Sequence, residues 1–355
     1  LLARLDDYLR NEHPAVQIDQ EQEIPDWVIR RLFELGVLGM TIPREHGGLG
    51  LGITSYNRVL ERIGMYCGST AVMVSARQSI GCKAVMLFGT AEQKARYLPK
   101  LATGEMIAAF CLTESGAGSD AAAIRTAAKR NADGSFTLNG EKLWITNGGI
   151  ADFYTVFART DGPEGKVTAF IVEAAWPGVS HGAHEDKMGI RASCTTTVAF
   201  NDVRIPAENV LGEVGKGFKV AMGILNNGRT GLGGGAVGGM KALIRRSVAQ
   251  AQERKQFDRS IAEYGLVREK IAQMTVECFA AESAVWMVAH YIDSGCEDYS
   301  VEAAITKVFA SEAMQRTAYE SLQIAGGNGY MRELPYEQYV RDARILPIFE
   351  GTNEI

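Results

Sequence analysis

A lone carboxylate closes an apolar run at the end of the chain. Glu350 follows Ile348 and Phe349 and precedes Gly351 in "RILPIFEGTNEI" (344–355), with no basic residue within five positions on either side. A carboxylate placed this way is desolvated, so its pKa rises and it suits a general base. The same letters also fit a glutamate at a solvated helix end, and the local sequence does not choose. "CLTESGAGSD" (111–120) sets hydroxyls, glycines and open backbone N–H groups just after a β-like run. Such a turn can hold a phosphate or a polar ring edge without a lysine; a plain tight turn is the alternative.

Other motifs are weaker. "GAGSDA" (116–121) spells a dinucleotide fingerprint, but the Asp133-Gly134 turn follows too soon for a crossover helix and a parallel strand. "ERKQF" (253–257) ends a helical pattern with Arg254 and Lys255, either as cations suited to a helix C-terminus or as phosphate ligands. "GLGGGAVGGM" (231–240) lacks the Gly-Lys-Ser/Thr ending of a phosphate loop and reads as close helix packing. His181 and His184 in "SHGAHED" have no Cys or third His nearby, so no metal site is expected.

The elements that must position these residues change period twice. Residues 1–105 read as helical: "PDWVIRRLFELGVLG" starts on Pro25 and Asp26 with Val28, Leu32 and Leu35 on one face, and "TAEQKARYLPKLATGE" enters from Thr90. From 106 to 214 the period falls to two, with Asp133-Gly134 and Asn139-Gly140 as hairpin turns. From 215 to 355 long helical patterns return, stopped by Gly295 and Gly326. The fold class expected is α+β: an N-terminal helical domain, a central antiparallel, barrel-like β domain and a C-terminal helical domain.

Composition narrows the class. With 46% hydrophobic and 22% charged residues the chain reads as globular, and a net charge of −5 without basic clusters argues against a nucleic-acid partner. No apolar run approaches the ~18 residues of a membrane span. The six cysteines are dispersed without a Cys-x-x-Cys pair, as expected of reduced core thiols.

Taken together, "AFCLTESGAGSD", "LWITNGGIADFYTVFART", "MGIRASCTTTVAFNDVRIPAENVLGEVGKGFKVAM", "ERKQF", "QIAGGNGY" and "RDARILPIFEGTNEI" resemble the acyl-CoA dehydrogenase family in the family's own order. "QSIGCKAVMLFGT", "FDRSIAEYGLVREK" and "IFEGTNEI" are most similar to its very-long-chain branch. One departure is Ser115, where many members have proline, which should alter turn stiffness more than chemistry. The resemblance implies a C-terminal four-helix bundle whose final helix this chain lacks. In the very-long-chain branch a further domain follows, with peripheral membrane association possible if it exists.

The resemblance also implies a reaction: α,β-dehydrogenation of a saturated acyl-CoA to the trans-2-enoyl-CoA. Glu350 matches the base, and the flavin N5 of FAD the hydride acceptor. Phe110, Leu112, Thr113, Gly118, Ser119, Trp144 and Thr146 match flavin contacts. Arg254, Phe257, Gln323, Gly326 and Gly327 match contacts made to FAD from a neighbouring subunit, and Thr352 and Glu354 the last flavin contacts. Ser119, Arg229, Phe349 and Gly351 match substrate contacts. The stretch "AVMVSARQSIG" (71–81) should floor the acyl tunnel, with Val72 and Ala76 small enough for a long chain. Implied partners are acyl-CoA, electron-transferring flavoprotein and further copies in a homodimer or homotetramer. The implied location is the mitochondrial matrix or the bacterial cytoplasm. An acyl-CoA oxidase, or an assembly protein on the same fold, stays open.

Overall fold

The computed structural model describes residues 1–162 and 165–355. The N-terminal segment is helical: α1 (Leu2–Asn11), α2 (Ala15–Glu21), α3 (Asp26–Glu34), α4 (Ile53–Gly64), α5 (Gly68–Ser75), α6 (Cys82–Phe88) and α7 (Ala91–Thr103). α3 buries Val28 and Leu32 as their spacing predicts. α7 begins with a capping box: Thr90 Oγ1 accepts the Gln93 N–H at 3.2 Å, and the Gln93 side chain accepts the Thr90 N–H at 3.0 Å.

Between α5 and α6 the chain makes one π-helical turn, Ala76–Gly81. Buried side chains anchor it. Gln78 accepts from the Thr41 hydroxyl at 2.6 Å and donates to the Leu38 carbonyl. Arg77, fully buried, donates to the carbonyls of Leu38, Leu101 and Met106 and lies over the Phe33 ring. Carbonyl dipoles replace the carboxylate that a buried cation normally needs. A widened turn held this firmly is a recurrent feature of functional sites.

The central strands are β1 (Ala108–Cys111), β2 (Ala127–Arg130), β3 (Phe136–Thr146), β4 (Phe153–Thr160), β5 (Val167–Glu173), β6 (Val179–His181), β7 (Thr195–Ile205) and β8 (Val210–Leu211). They pair in the order β6-β7-β3-β2-β4-β5-β8, with β1 on β4. Two expectations change here. The sheet is mixed rather than antiparallel, because β1 and β2 both run parallel to β4. The pairing is also a path; among the described residues no ladder joins β6 to β8, so barrel closure is not borne out. The cause is local. β1 covers Phe153–Val156 of β4, and β2 rejoins the same edge at Arg159. The intervening segment, 112–126, is thereby ejected from the sheet, and it carries the glycine-rich turn.

The C-terminal segment holds α8 (Gly217–Glu253), a small hairpin of β9 (Lys255–Gln256) and β10 (Arg259–Ser260), α9 (Gly265–Asp293), α10 (Ser300–Ala325), α11 (Gly327–Tyr330) and α12 (Tyr336–Ala343). α8, α9 and α10 pack on one another, and α4 packs on α8 and α9. α4, from the N-terminal segment, thus lies against two of the three long C-terminal helices. Lys241 of α8 ties the group together, donating to Glu61 of α4 at 2.8 Å and Glu282 of α9 at 2.5 Å. The glycines of α8 divide their work. A Cβ on Gly234 or Gly238 would run into the α4 backbone at Asn57 or Glu61, as close packing requires. A Cβ on Gly235 would meet nothing within 4 Å. No helix of the described residues is long and apolar enough to cross a membrane.

Candidate active site

Gly235 faces a cavity with a mainly apolar lining. The cavity lies between α4, α5 with its π turn, α8, α12 and the C-terminal turn. Val72, Ser75, Ala76 and Ile80 form one wall, and Gly228, Gly231 and Gly235 another. Phe349 and Glu350 enter from the C-terminal turn, and Thr146 from β3.

Glu350 sits in a strained turn. Its φ is +59° and that of Gly351 is +97°; for a non-glycine residue the left-handed region costs ~1–2 kcal/mol. Two cations hold the turn by its carbonyls. Lys307 of α10, itself buried, donates to Gly351 O and Asn353 Oδ1, each at 2.6 Å. Arg229 of α8 donates through Nε to Glu350 O at 3.3 Å. Asn353 is fixed in turn, donating to Ser311 Oγ at 3.0 Å. Both cations thus bind backbone, and Glu350 Oε2 stays buried with no hydrogen-bond partner. Oε2 lies 2.9 Å from where a Cβ on Gly228 would stand, so glycine there makes room for the carboxylate.

Burial pushes the Glu350 carboxyl up to about 7, against the pull of Arg229 and Lys307. Burial also brings the Lys307 ammonium down to about 8, with Glu350 opposing. A carboxylate poised near neutrality and left without a partner is a proton acceptor. Were Glu350 to serve as a base, the rate of proton abstraction is expected to climb about tenfold per pH unit below ~7 and level off above it. A pH profile on the free enzyme checks this; a half-point at pH 4–5 would mean the carboxylate is solvated.

The remaining sequence-derived residues fall into two groups. The first is gathered beside the cavity. Phe110 and Leu112 are buried at the end of β1, Phe110 packing on Phe157 at 4.9 Å. Thr113 O accepts the Leu143 N–H at 2.9 Å, which sets the ejected segment against β3. Trp144 stands at a register shift in the β3–β7 pairing, with φ +54° and its indole 64% exposed. A Cβ on Gly116 or Gly118 would meet nothing within 4 Å, and Ser119 is exposed. An uncovered indole next to Thr146, and an open glycine turn ahead of it, fit a flat ring carrying an anionic tail. Thr352 and Glu354 bond one another at 2.8 Å just beyond Gly351.

The second group lies elsewhere. Arg254, Gln323, Gly326 and Gly327 are exposed and Phe257 is 90% exposed. Arg254 follows the C-terminus of α8, about 39 Å along the axis from Gly228 at the helical rise. The end of α10 packs at that same remote end, where Ile324 meets Ala251. One chain does not bring the two groups together.

Sequence reasoning missed several residues of the site. Lys307 was legible: it follows Ala303 and precedes Ala310 and Met314 at helical spacing, and a lysine on that face has to be buried. The pair formed by Lys142, 0% exposed, and Glu114, with Nζ to Oε1 at 2.7 Å, was not legible. It joins residues 28 apart in the chain, and only strand register reveals it.

The comparisons agree with this geometry. The models of the acyl-CoA dehydrogenase N-terminal, middle and C-terminal domains match residues 1–105, 109–203 and 215–355. The very long-chain specific acyl-CoA dehydrogenase of Bos taurus mitochondria is 49% identical over 356 residues, 98% of this chain and 54% of that protein. The chain thus spans about half the length of these curated relatives. Butyryl-CoA dehydrogenase from Megasphaera elsdenii superposes with a TM-score of 0.95 at 39% identity, over 99% of this chain and 94% of that one. An acyl-CoA dehydrogenase from Bacillus anthracis, solved in complex with FAD, gives 0.93 at 41% identity, over 99% and 64%. With three successive domain models matching all but short stretches of the sequence, and a curated relative 49% identical over 98% of it, the kinship is plain: the chain belongs to the acyl-CoA dehydrogenase family.

Proposed function

We propose that the protein is a FAD-dependent acyl-CoA dehydrogenase that converts a saturated long-chain acyl-CoA to the trans-2-enoyl-CoA. The observation that carries the reading is Glu350 Oε2, buried without a partner at one end of an apolar cavity. The carboxylate takes the α proton. The Glu350 backbone N–H is offered to the thioester oxygen, where negative charge develops as that proton leaves. Phe349 and Ile80 exclude water, and Lys307 and Arg229 keep the turn from relaxing. FAD supplies, when bound, the acceptor for the β hydrogen, taken as hydride. Phe110, Leu112, Thr113, Gly118, Ser119, Trp144 and Thr146 would hold it from one chain, with Thr352 and Glu354 beyond the base. Ser119, Arg229, Phe349 and Gly351 would meet the acyl-CoA. Electron-transferring flavoprotein is the proposed acceptor, and the mitochondrial matrix or bacterial cytoplasm the proposed site of action.

The test is an anaerobic titration of the purified yellow protein with saturated acyl-CoAs of graded length. Bleaching without oxygen supports the reading; a flavin that no acyl-CoA bleaches removes it. Length preference has its own check. Val72 and Ala76 both line the cavity, and each methylene buried there adds ~0.8 kcal/mol. Ala76→Gln should therefore move the kcat/KM optimum to shorter chains; an unmoved optimum would place the limit elsewhere.

The remote group is proposed to serve a second subunit's FAD, in a homodimer or homotetramer. Arg254→Ala should then loosen FAD and leave monomer stability within ~0.5 kcal/mol, since Arg254 is exposed. Dilution to monomers should release flavin as well, as read by fluorescence. A monomer that keeps its FAD would contradict the shared site.

A further inference from the structure

The cavity contains a second carboxyl, at its other end. Asp342 of α12 lines it and is 8% exposed. Oδ1 accepts the Ile190 N–H at 2.5 Å. For Oδ2 there is no hydrogen-bond donor among the described residues. The neighbouring cation is committed elsewhere: Arg341 bonds Asp19 through Nη1 at 3.1 Å and Nη2 at 2.7 Å, and Glu337 through Nε at 2.6 Å and Nη2 at 2.9 Å. Burial pushes the Asp342 carboxyl up to about 7, the Ile190 N–H opposing.

Two glycines fix where the carboxyls stand. Oδ2 of Asp342 lies 2.8 Å from where a Cβ on Gly68 would be, at the first residue of α5. Oε2 of Glu350 has the same relation to Gly228. Along α8 the lining glycines run Gly228, Gly231, Gly235 and Gly239, about 16 Å at the helical rise. The wall between is apolar, with Leu60, Ala71, Ala236, Met314 and Leu346. Its hydroxyls are engaged: Tyr339 donates to Met65 O at 2.7 Å, and Ser75 pairs with the Tyr56 hydroxyl at 3.1 Å. An apolar passage with a base at one end and an unmatched carboxyl oxygen at the other is suited to a chain with a donor at its tip.

We propose that Asp342 is a subsite for the far end of the acyl chain, and that the protein accepts long-chain acyl-CoAs bearing a terminal hydroxyl. The inference rests on the dehydrogenase reading and names a substrate class within it. A methyl terminus leaves Oδ2 unmatched. A hydroxyl of the right reach donates to it and fills a site that otherwise holds an unpaired acceptor.

The experiment is a paired length series on the holoenzyme, saturated acyl-CoAs against their ω-hydroxy counterparts, read by flavin bleaching and kcat/KM. The expected result is a ratio of hydroxylated to plain substrate that peaks at one length, about tenfold above the shorter members. In Asp342→Leu that peak disappears while plain substrates still react. Asp342→Asn is the second variant, should leucine fail to fold, and it should lower the peak. If plain chains bleach the flavin and the hydroxyl brings no advantage at any length, Asp342 only holds the Ile190 backbone, at φ +45°, and the inference is overturned. If neither series bleaches the flavin, the dehydrogenase reading falls and this subsite with it.

Discussion

Glu350→Gln is expected to lower substrate-dependent flavin reduction by at least ~10²–10⁴-fold while the fold and the cavity persist. The amide fills nearly the volume of the carboxylate in the space beside Gly228, and its backbone is still held by Lys307 and Arg229. It cannot accept the α proton. Stability should move the other way. Burial pushes the native carboxyl from its ordinary 4.5 up to about 7, so the native state binds more protons between those limits. Stability of the unmodified protein then falls as pH rises from ~4.5 to ~7, and the glutamine variant lacks that loss. Its melting temperature, relative to the parent, should rise across this window. Stopped-flow reduction and a pH series of melting curves check both halves; near-normal reduction by the variant would move the base to another residue.

Lys142→Met is expected to cost ~3–5 kcal/mol of stability. Lys142 Nζ bonds Glu114 Oε1 at 2.7 Å and Leu112 O at 3.1 Å. Glu114 in turn accepts the N–H groups of Arg125 at 2.6 Å and Thr126 at 3.0 Å. Burial pushes the Glu114 carboxyl up, but Lys142 and these donors win and hold it below its ordinary value. Burial lowers the Lys142 ammonium, with Glu114 opposing. Removing the lysine strands a buried carboxylate at the segment the sheet has ejected. Adding Glu114→Gln to the lysine variant should recover part of the loss, because the stranded charge is gone. Urea unfolding of both variants measures this; a single variant within ~1 kcal/mol of the parent would show the pair to be solvated.

These residues also show what the sequence could carry. Period gave the α, β, α order. Thr90 and the Val28/Leu32 spacing placed helices correctly because those signals are local. Glu350 was legible as a candidate from its apolar flanks, and the family resemblance supplied its role. Barrel closure and purely antiparallel pairing were not borne out, since the partner of a strand is chosen by tertiary docking; β1 and β2 share one edge of β4 through a detour that no periodicity announces. The packing of α4 on α8 was not legible, for a similar reason. The glycines of α8 that admit it lie more than a hundred residues away. Asp342 carried no signal in "RDARI", where it passes for an ordinary helix-surface acid.

α4 packs on α8 and α9 from the N-terminal segment, and its first turn is tied down late. Asp293, the last residue of α9, accepts the N–H of Ile53 at 2.6 Å and of Thr54 at 2.9 Å, across 240 residues of sequence. During synthesis, at ~5–20 residues per second, α4 waits on the order of 12–48 s for that partner. Val59, Leu60 and Ile63 meanwhile share a core with Leu5, Val28 and Leu32 of the helices already made. The N-terminal helices thus have a core of their own to gather first, and their seam with α9 closes only when Asp293 arrives.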